Sequence, residues 1–314
     1  MKLSFVKKGK HDQQGIWLFT LVKNEEYFLP FFFTHYKKLG VSNFVVYDDK
    51  STDNTRDILE SESSCSIIQS AHTFDQKVKV GNVTMPFNDV LKNSIHSAFF
   101  PNSWGIYVDC DEFMVLPKNI DTLHELIQKL EAEKQFQVFA PMVDFYPEKL
   151  ALRNYNSTLS PFEGCSYFDR GPVFRWLEDD KRALTVSGIR LRLKALMKEN
   201  HPLEFSRING GKIFNGSSVK TPLIKHGNGI LRQGAHYTNT VPSFDNQVAL
   251  AHFKFYPGFD AKLKEALMKR QYYGGSIEYQ FLNFILEKHE KESLLWEDSV
   301  KFNDASDFSK GLIW

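Results

Sequence analysis

Asp109-Cys110-Asp111-Glu112 places three carboxylates in four residues, directly after the apolar run Trp104-Gly105-Ile106-Tyr107-Val108. In an extended segment residues i and i+2 face the same way, so Asp109 and Asp111 share one side and Cys110 takes the other. Two close carboxylates repel unless a cation neutralises them or one takes up a proton. Oxygen ligands of this kind suit Mg²⁺ or Mn²⁺, ions usually shared with substrate phosphates. A D-x-D alone describes a solvated turn equally well; its place after a buried strand is what points to a metal. Two more polar clusters follow apolar runs: Lys23-Asn24-Glu25 after Ile16 to Val22, and Asp48 to Asp53 after Asn43 to Tyr47. In an open parallel sheet, ligands bind outside the carboxyl ends of the strands. Three clusters at such ends form the strongest functional signal in the chain, although acidic, Asn and Ser residues there also serve as turns and helix caps.

Periodicity supplies the elements that must hold these clusters. Ile16 to Val22 (IWLFTLV) is a continuous apolar run of strand length. Phe28, Phe31, Phe32, His35, Tyr36 and Leu39 then recur at helical spacing, with Pro30 in the first turn, where its missing N–H costs nothing, and Gly40 as the stop. Asn43 to Tyr47 predicts a second strand, followed by a helix capped by Thr52 or Asp53 with Ile58 and Leu59 inward. Ser66 to Gln69 predicts a third strand, Val90 to Phe99 a helix, and Trp104 to Val108 a buried strand. A helix capped by Asp121 carries Leu123, Leu126, Ile127 and Leu130 on one face, and Phe136 to Val143 returns as a strand. Buried strands alternating with amphipathic helices predict an α/β fold with a mostly parallel, doubly wound sheet. Beyond Asp144 the pattern is mixed. Turn-rich stretches at Asn209 to Lys212, Asn215-Gly216 and Gly227 to Gly229 separate short strands, and helices at Ala261 to Arg270 and Ile277 to His289 close the chain.

Charge and cysteine usage bound the class. With 39 Lys+Arg against 38 Asp+Glu the formal net charge is +1, which excludes a basic nucleic-acid-binding arm and an acidic solvating tail. Phe, at 28 of 314 residues, is the one compositional outlier. Cys65, Cys110 and Cys165 are widely spaced and contain no C-x-x-C, so neither a disulfide framework nor a thiolate zinc site is expected. The N-terminal MKLSFVKKGKHDQQG has no apolar region behind its basic residues, and no apolar run approaches the roughly 20 residues that span a bilayer. The expectation is a cytoplasmic protein.

Several segments resemble family-2-like glycosyltransferases of the GT-A fold, in particular the bacterial subgroup akin to glycosyltransferase family 92. They are LVKNEEYFLPFFFTHYKKLGV (21–41), NFVVYDDKSTDNT (43–55), WGIYVDCDEFMVLP (104–117), VDFYPEKL (143–150), YFDRG (167–171), KTPLIKHGNGILRQGAHY (220–237), ALAHFKFYPGF (249–259) and GGSIEY (274–279). The N-terminal set is specific to the fold, and the C-terminal set is looser and specific to the subgroup. The resemblance implies a metal-dependent, inverting transferase that moves a sugar from a nucleotide diphosphate, UDP first, to a glycan or lipid-linked glycan acceptor in bacterial surface polysaccharide or glycolipid synthesis. It implies nucleotide contacts at Thr20, Asn24, Glu25, Asp48, Asp49, Ser51 and Asp53, with Asp49 or Asp48 reading the base; Lys50 stands where glycine is common in that turn. D-C-D-E-F matches the metal-binding motif, making Asp111 the direct ligand of Mn²⁺ or Mg²⁺ and Asp109 its partner on ribose or metal, with His252 completing the site. The corresponding division is a nucleotide-sugar-binding half over 1–145, an acceptor-binding, mixed α+β elaboration of the same domain over 146–259, and a helical segment over 260–314.

An inverting transferase needs a carboxylate to take the acceptor hydroxyl's proton. Asp169 and Asp144 rank close together for this role and Glu163 third, each with the alternative of capping a turn; Glu178-Asp179-Asp180 matches the family's acidic pair poorly. The acid-free basic stretch from Lys181 to Lys198 includes Arg190 and Arg192, which with His236 are the acceptor-side candidates. That stretch suits a diphosphate, an anionic glycan or peripheral contact with the inner face of a membrane, against the simpler reading of a solvated basic face. His35 sits on an aromatic helix face, where a core role is expected. Two other classes stay open at this point. A nucleotidyltransferase would carry a glycine-rich phosphate loop, which Leu21 to Glu25 lacks. A non-catalytic glycan-binding module would bind sugar without metal.

Overall fold

The computed structural model describes residues 3–171, 174–177, 182–208, 217–270 and 272–308. Glu178 to Lys181 and the turns at 209–212 and 215–216 lie outside the described residues. The chain divides into two compact units: residues 1–140 with 220–248, and residues 141–219 with 249–314. The chain thus leaves the first unit after Ala140 and returns to it at Lys220, so neither unit is one continuous segment.

The first unit is built on a six-stranded sheet. Its parallel centre consists of Cys65–Gln69, Val41–Asp48, Ile16–Val22 and Trp104–Tyr107 in that spatial order. Ser4–Lys7 adds antiparallel to the first of these strands, and Leu223–Lys225 adds antiparallel to the last. The Leu223–Lys225 pairing helps tie 220–248 to the first unit. Sequence order runs outward from Ile16–Val22 to Val41–Asp48 and Cys65–Gln69, then jumps back to Trp104–Tyr107 on the other side. The topological switch point therefore falls between Ile16–Val22 and Trp104–Tyr107, where open α/β sheets bind their ligands.

The strands are nearly continuous apolar runs because they are buried on both faces; Leu18, Phe19, Val45, Val46 and Ile106 are fully buried. The helix Phe28–Lys38 buries Phe28, Leu29, Phe32, Phe33 and Tyr36. It ends where Gly40 takes φ +103°, as its sequence predicts. The Phe32 and Tyr36 rings pack tilted with centroids 4.7 Å apart, with Phe113 edge-on to Phe32. Each such ring contributes roughly 1.5–3 kcal/mol by burial. His35 takes the core role expected: its Nε2–H donates to the Met114 carbonyl at 2.8 Å, and burial pushes its pKa down to about 4.

Several boundaries moved, among them the start of the helix expected from Val90, which begins at Phe87. The helix after Asp53 runs over Thr55–Ser61 with Asn54 as its N-cap, while Asp53 Oδ1 accepts from the Thr55 N–H at 3.0 Å. Thr122, not Asp121, caps the helix Leu123–Ala132 through the Glu125 N–H. The strand expected from Phe136 begins at Ala140 and runs to Phe145. Ahead of it, the Gln137 side chain is held by Thr238 and Thr240, which anchors that stretch to the first unit.

In the second unit, Ala249–Phe253 pairs in parallel with Ala140–Phe145, setting His252 beside Asp144. The short strands Tyr167–Asp169 and Ser299–Lys301 pair antiparallel, and so do Phe174–Leu177 and Arg182–Thr185. Phe145, Phe162, Phe168, Phe253, Phe302 and Phe308 pack ring against ring at 4.9–6.3 Å, which is where much of the Phe excess goes. The helix Ile189–Asn200 carries Arg190 and Arg192. No helix among the described residues is long and apolar enough to cross a membrane.

Candidate functional site

The three polar clusters stand at the carboxyl ends of three neighbouring parallel strands of the first unit. Two of them are stitched together residue by residue. Ser51 Oγ accepts from the Asn24 N–H at 3.0 Å, Thr55 Oγ1 from the Glu25 N–H at 2.7 Å, and Asp53 Oδ2 from the Glu26 N–H at 3.2 Å. In return, Asn24 Oδ1 accepts from the Thr52 N–H at 2.7 Å. Asn24 and Lys50 both adopt left-handed backbone, φ 55° and 59°, so the position where glycine is common in this turn does require glycine-like geometry. Lys50 meets that requirement at a steric cost of about 1–2 kcal/mol.

The two base-reading candidates separate here. Asp48 is buried and fully engaged: Oδ1 accepts from the Ser51 N–H at 3.0 Å, and Oδ2 from Arg56 and from Gln69, each at 3.0 Å. Asp49 is equally buried, but only Oδ2 has a bonded partner, Lys23 Nζ at 3.2 Å. Asp49 Oδ1 is buried without a hydrogen-bond partner, and the Phe74 backbone amide favours the charged carboxylate. Burial raises the Asp49 pKa and outweighs Lys23, the next largest influence. Thr20 Oγ1 is likewise buried without a hydrogen-bond partner.

At the third cluster the structure adds a residue that motif reading missed. Lys220 Nζ lies 2.6 Å from Asp109 Oδ2 and 2.7 Å from Glu112, and its side chain is 1% exposed. Tyr107 OH donates to Asp109 Oδ1 at 2.6 Å, and the Asp109 N–H donates to Glu112 Oε2 at 2.9 Å. Burial alone would raise the Asp109 pKa, but the ammonium of Lys220, with Lys92 and the Tyr107 hydroxyl behind it, holds it well below the usual carboxylate range. The same two carboxylates hold Lys220 above the usual lysine range against burial. The Asp109 side chain is nevertheless 43% exposed, so its outer face meets solvent while its inner side is tied down. Asp111 is half-buried. Lys220 lies in a segment already singled out, 220–237, but a lone lysine before a Thr-Pro carries no spacing signal that would pair it with residues more than a hundred positions earlier.

The candidates of the second unit form two saturated networks. Asp144 Oδ1 accepts from His252 Nδ1–H at 2.6 Å, and Oδ2 from Arg190 Nε at 2.6 Å; Arg190 and Lys254 also reach Glu278 at 3.5 and 3.3 Å. Burial would raise the Asp144 pKa, but Arg190 foremost and then His252 hold it well below the usual range. Asp169, buried, takes Arg192 through both oxygens at 2.8 Å each, Trp296 Nε1–H at 2.9 Å and the Tyr146 hydroxyl. Arg192 stacks over the Trp296 ring at 4.9 Å. Glu163 accepts from the Ser160 N–H and hydroxyl at 2.8 and 2.7 Å, capping the short helix Pro161–Gly164. Arg190 and Arg192 are thus counter-ions of Asp144 and Asp169. His236, half-buried in the first unit, gives its backbone carbonyl to the Thr221 N–H at 3.0 Å.

The expected metal set does not fit as a preformed site. Asp109 carries an ammonium, and His252 holds Asp144 through Nδ1. Among the described residues there is no group of three or more His, Cys, Asp or Glu side chains that could hold a metal ion.

The strand ends converge on the switch point, and one of them holds a buried carboxylate oxygen without a hydrogen-bond partner. Comparison with known families gives the chemistry: residues 20–165 match the family model for glycosyltransferase family 92, and the chain is a glycosyltransferase. No curated protein matches it. The matched stretch, just under half of the chain, contains every nucleotide-side candidate together with Asp144 and Glu163, and ends before Asp169, Arg190, Arg192, Lys220, His236 and His252.

Proposed function

We propose that the protein is a GT-A-type, inverting glycosyltransferase that takes its sugar from a nucleotide diphosphate, UDP first, and hands it to a glycan or lipid-linked glycan acceptor of a bacterial surface polysaccharide or glycolipid. The observation that carries this reading is the buried Asp49 Oδ1 without a bonded partner, at the carboxyl end of a strand next to the switch point. A carboxylate oxygen without a partner at a strand end suits an imide N–H of a pyrimidine base, and burial makes that bond worth more than it would be in water. Asp48, Ser51, Asp53 and Asn24 hold the turn that positions Asp49, and the diphosphate falls to the Asp109 to Glu112 end. A divalent ion, Mn²⁺ or Mg²⁺, is proposed there only as a companion of the diphosphate on Asp111. For the acceptor's proton we propose, on chemistry alone, the Asp144–His252 pair: the carboxylate fixes Nδ1–H and so leaves the basic lone pair of the imidazole on Nε2. Contact with a membrane surface is proposed only as the consequence of a lipid-linked acceptor.

The test is calorimetric titration with UDP, GDP, dTDP and CMP, with and without Mn²⁺, on the wild type and on Asp49→Asn. UDP is expected to bind, and Asp49→Asn to weaken it by about 10- to 100-fold, the usual worth of a hydrogen bond to a charged group. The melting temperature of Asp49→Asn should not fall, because the substitution removes a buried charge whose pKa is already raised. A protein that binds no nucleoside diphosphate under either condition would end the glycosyl-donor reading.

A further inference from the structure

Three carboxylates in four residues ordinarily need a cation, and the fold supplies one from its own chain. Lys220 stands where the chain re-enters the first unit. Its ammonium has three N–H donors, and they meet Asp109 Oδ2 at 2.6 Å and both oxygens of Glu112 at 2.7 Å. Glu112 is 1% exposed, so this ion pair is sealed on its inner side. The remaining oxygen of Asp109 accepts the Tyr107 hydroxyl, and the Tyr107 ring lies 5.5 Å from the ammonium on another side. A lysine buried this completely is stable only when its charge is matched and its donors are spent, and both conditions hold. A second, divalent cation placed on Asp109 would lie within a few ångströms of a fixed positive charge that cannot leave.

We infer that Lys220 is the resident cation of the Asp109-Cys110-Asp111-Glu112 cluster, and that it excludes a free divalent ion from Asp109. This deepens the proposed function and rests on it for one point, that the cluster serves the donor's diphosphate. Lys220 is a positioning residue: it holds Asp109 and Glu112 in place and keeps the strand end from repelling an incoming polyanion, without needing to touch that anion itself.

The test uses Mn²⁺ alone, followed by calorimetry or by loss of its free-ion electron-spin signal, on the full chain. Wild type is expected to show no saturable binding tighter than about 1 mM, the weak end of oxygen-ligand sites. Saturable Mn²⁺ binding by wild type that Asp109→Asn abolishes would overturn the inference. Lys220→Met, which keeps the bulk of the stem and removes the charge, is expected to gain affinity for Mn²⁺ alone by at least about tenfold. A folded Lys220→Met protein with no gain would overturn it as well, since a merely structural ion pair predicts that result. Should Lys220→Met fail to fold, the wild-type titration with its Asp109→Asn control decides. UDP binding, measured on the same preparation, reports separately on the donor reading: loss of UDP binding with Mn²⁺ still excluded sinks that reading and leaves Lys220 as the resident cation.

Discussion

The acids at the strand ends of the first unit and the acids of the second unit are bonded in opposite ways. Asp144 accepts from Arg190 on one oxygen and from His252 on the other, and Asp169 accepts from Arg192 on both and from Trp296 and Tyr146 besides, so each oxygen has a partner inside the protein. Asp49 keeps one buried oxygen without a bonded partner, and Asp109 keeps an exposed outer face. The electrostatics follow the bonding: the Asp144 pKa is held down by Arg190 and His252 against burial, whereas the Asp49 pKa is raised because burial outweighs Lys23. A carboxylate whose bonds are complete contributes to the fold, and one left incomplete in a buried position carries a standing cost that a ligand can remove. That difference separates carboxylates with an oxygen left over from carboxylates whose oxygens all have partners inside the protein.

Breaking a saturated network should therefore have the largest effect. Asp169→Ala leaves Arg192 without its carboxylate and the Trp296 and Tyr146 donors without an acceptor, and it is expected to cost about 3–5 kcal/mol in urea denaturation. A loss near zero would show that Asp169 is no more structural than Asp49 and would erase the contrast.

Acid comes next, because the two kinds of carboxylate respond with opposite signs. The Asp144 carboxyl is lowered in the folded state relative to about 3.9 when unfolded. Its stabilisation is therefore complete above that value and is lost as pH falls below about 4 toward the folded pKa. The Asp49 carboxyl is raised, so the folded state binds its proton more readily and its unfavourable contribution shrinks as pH falls. Urea midpoints measured between pH 7 and pH 3 should drop more steeply in wild type than in Asp144→Asn, and equal slopes would refute the role given to Asp144.

The smallest effect concerns the turn that holds Asp49. Lys50→Gly relieves a left-handed backbone at φ 59° worth about 1–2 kcal/mol, less about 0.4–1 kcal/mol for the freer unfolded chain. A gain of about 0.5 kcal/mol is expected, with UDP affinity unchanged; a loss would mean that the Lys50 bond to the Ala71 carbonyl matters more than its backbone strain.

Much of the first unit was readable in advance because its signals are local. Ile16–Val22 could be read to the residue from a single apolar run, and Phe28–Lys38 from helical spacing closed by Gly40. The turn at Lys50 announced itself by standing where glycine is common, and the structure shows the left-handed geometry behind that pattern. The helix caps slipped by one residue at Asn54 and Thr122 because neighbouring Asp, Thr and Asn side chains can all satisfy the first N–H groups.

By itself, the sequence determined the order of strands and helices, the polar clusters that end the strands, and the family-like segments that point to glycosyl transfer. Those are properties of residues close together in the chain, where period and spacing act directly. Tertiary structure alone decided which carboxylate is spent and which is not: Asp48 against Asp49, Asp144 with His252 and Arg190, and Asp109 with a lysine 111 positions away. A carboxylate's chemistry depends on the donors and the dielectric around it, and folding brings those donors from strands and helices that no local pattern connects.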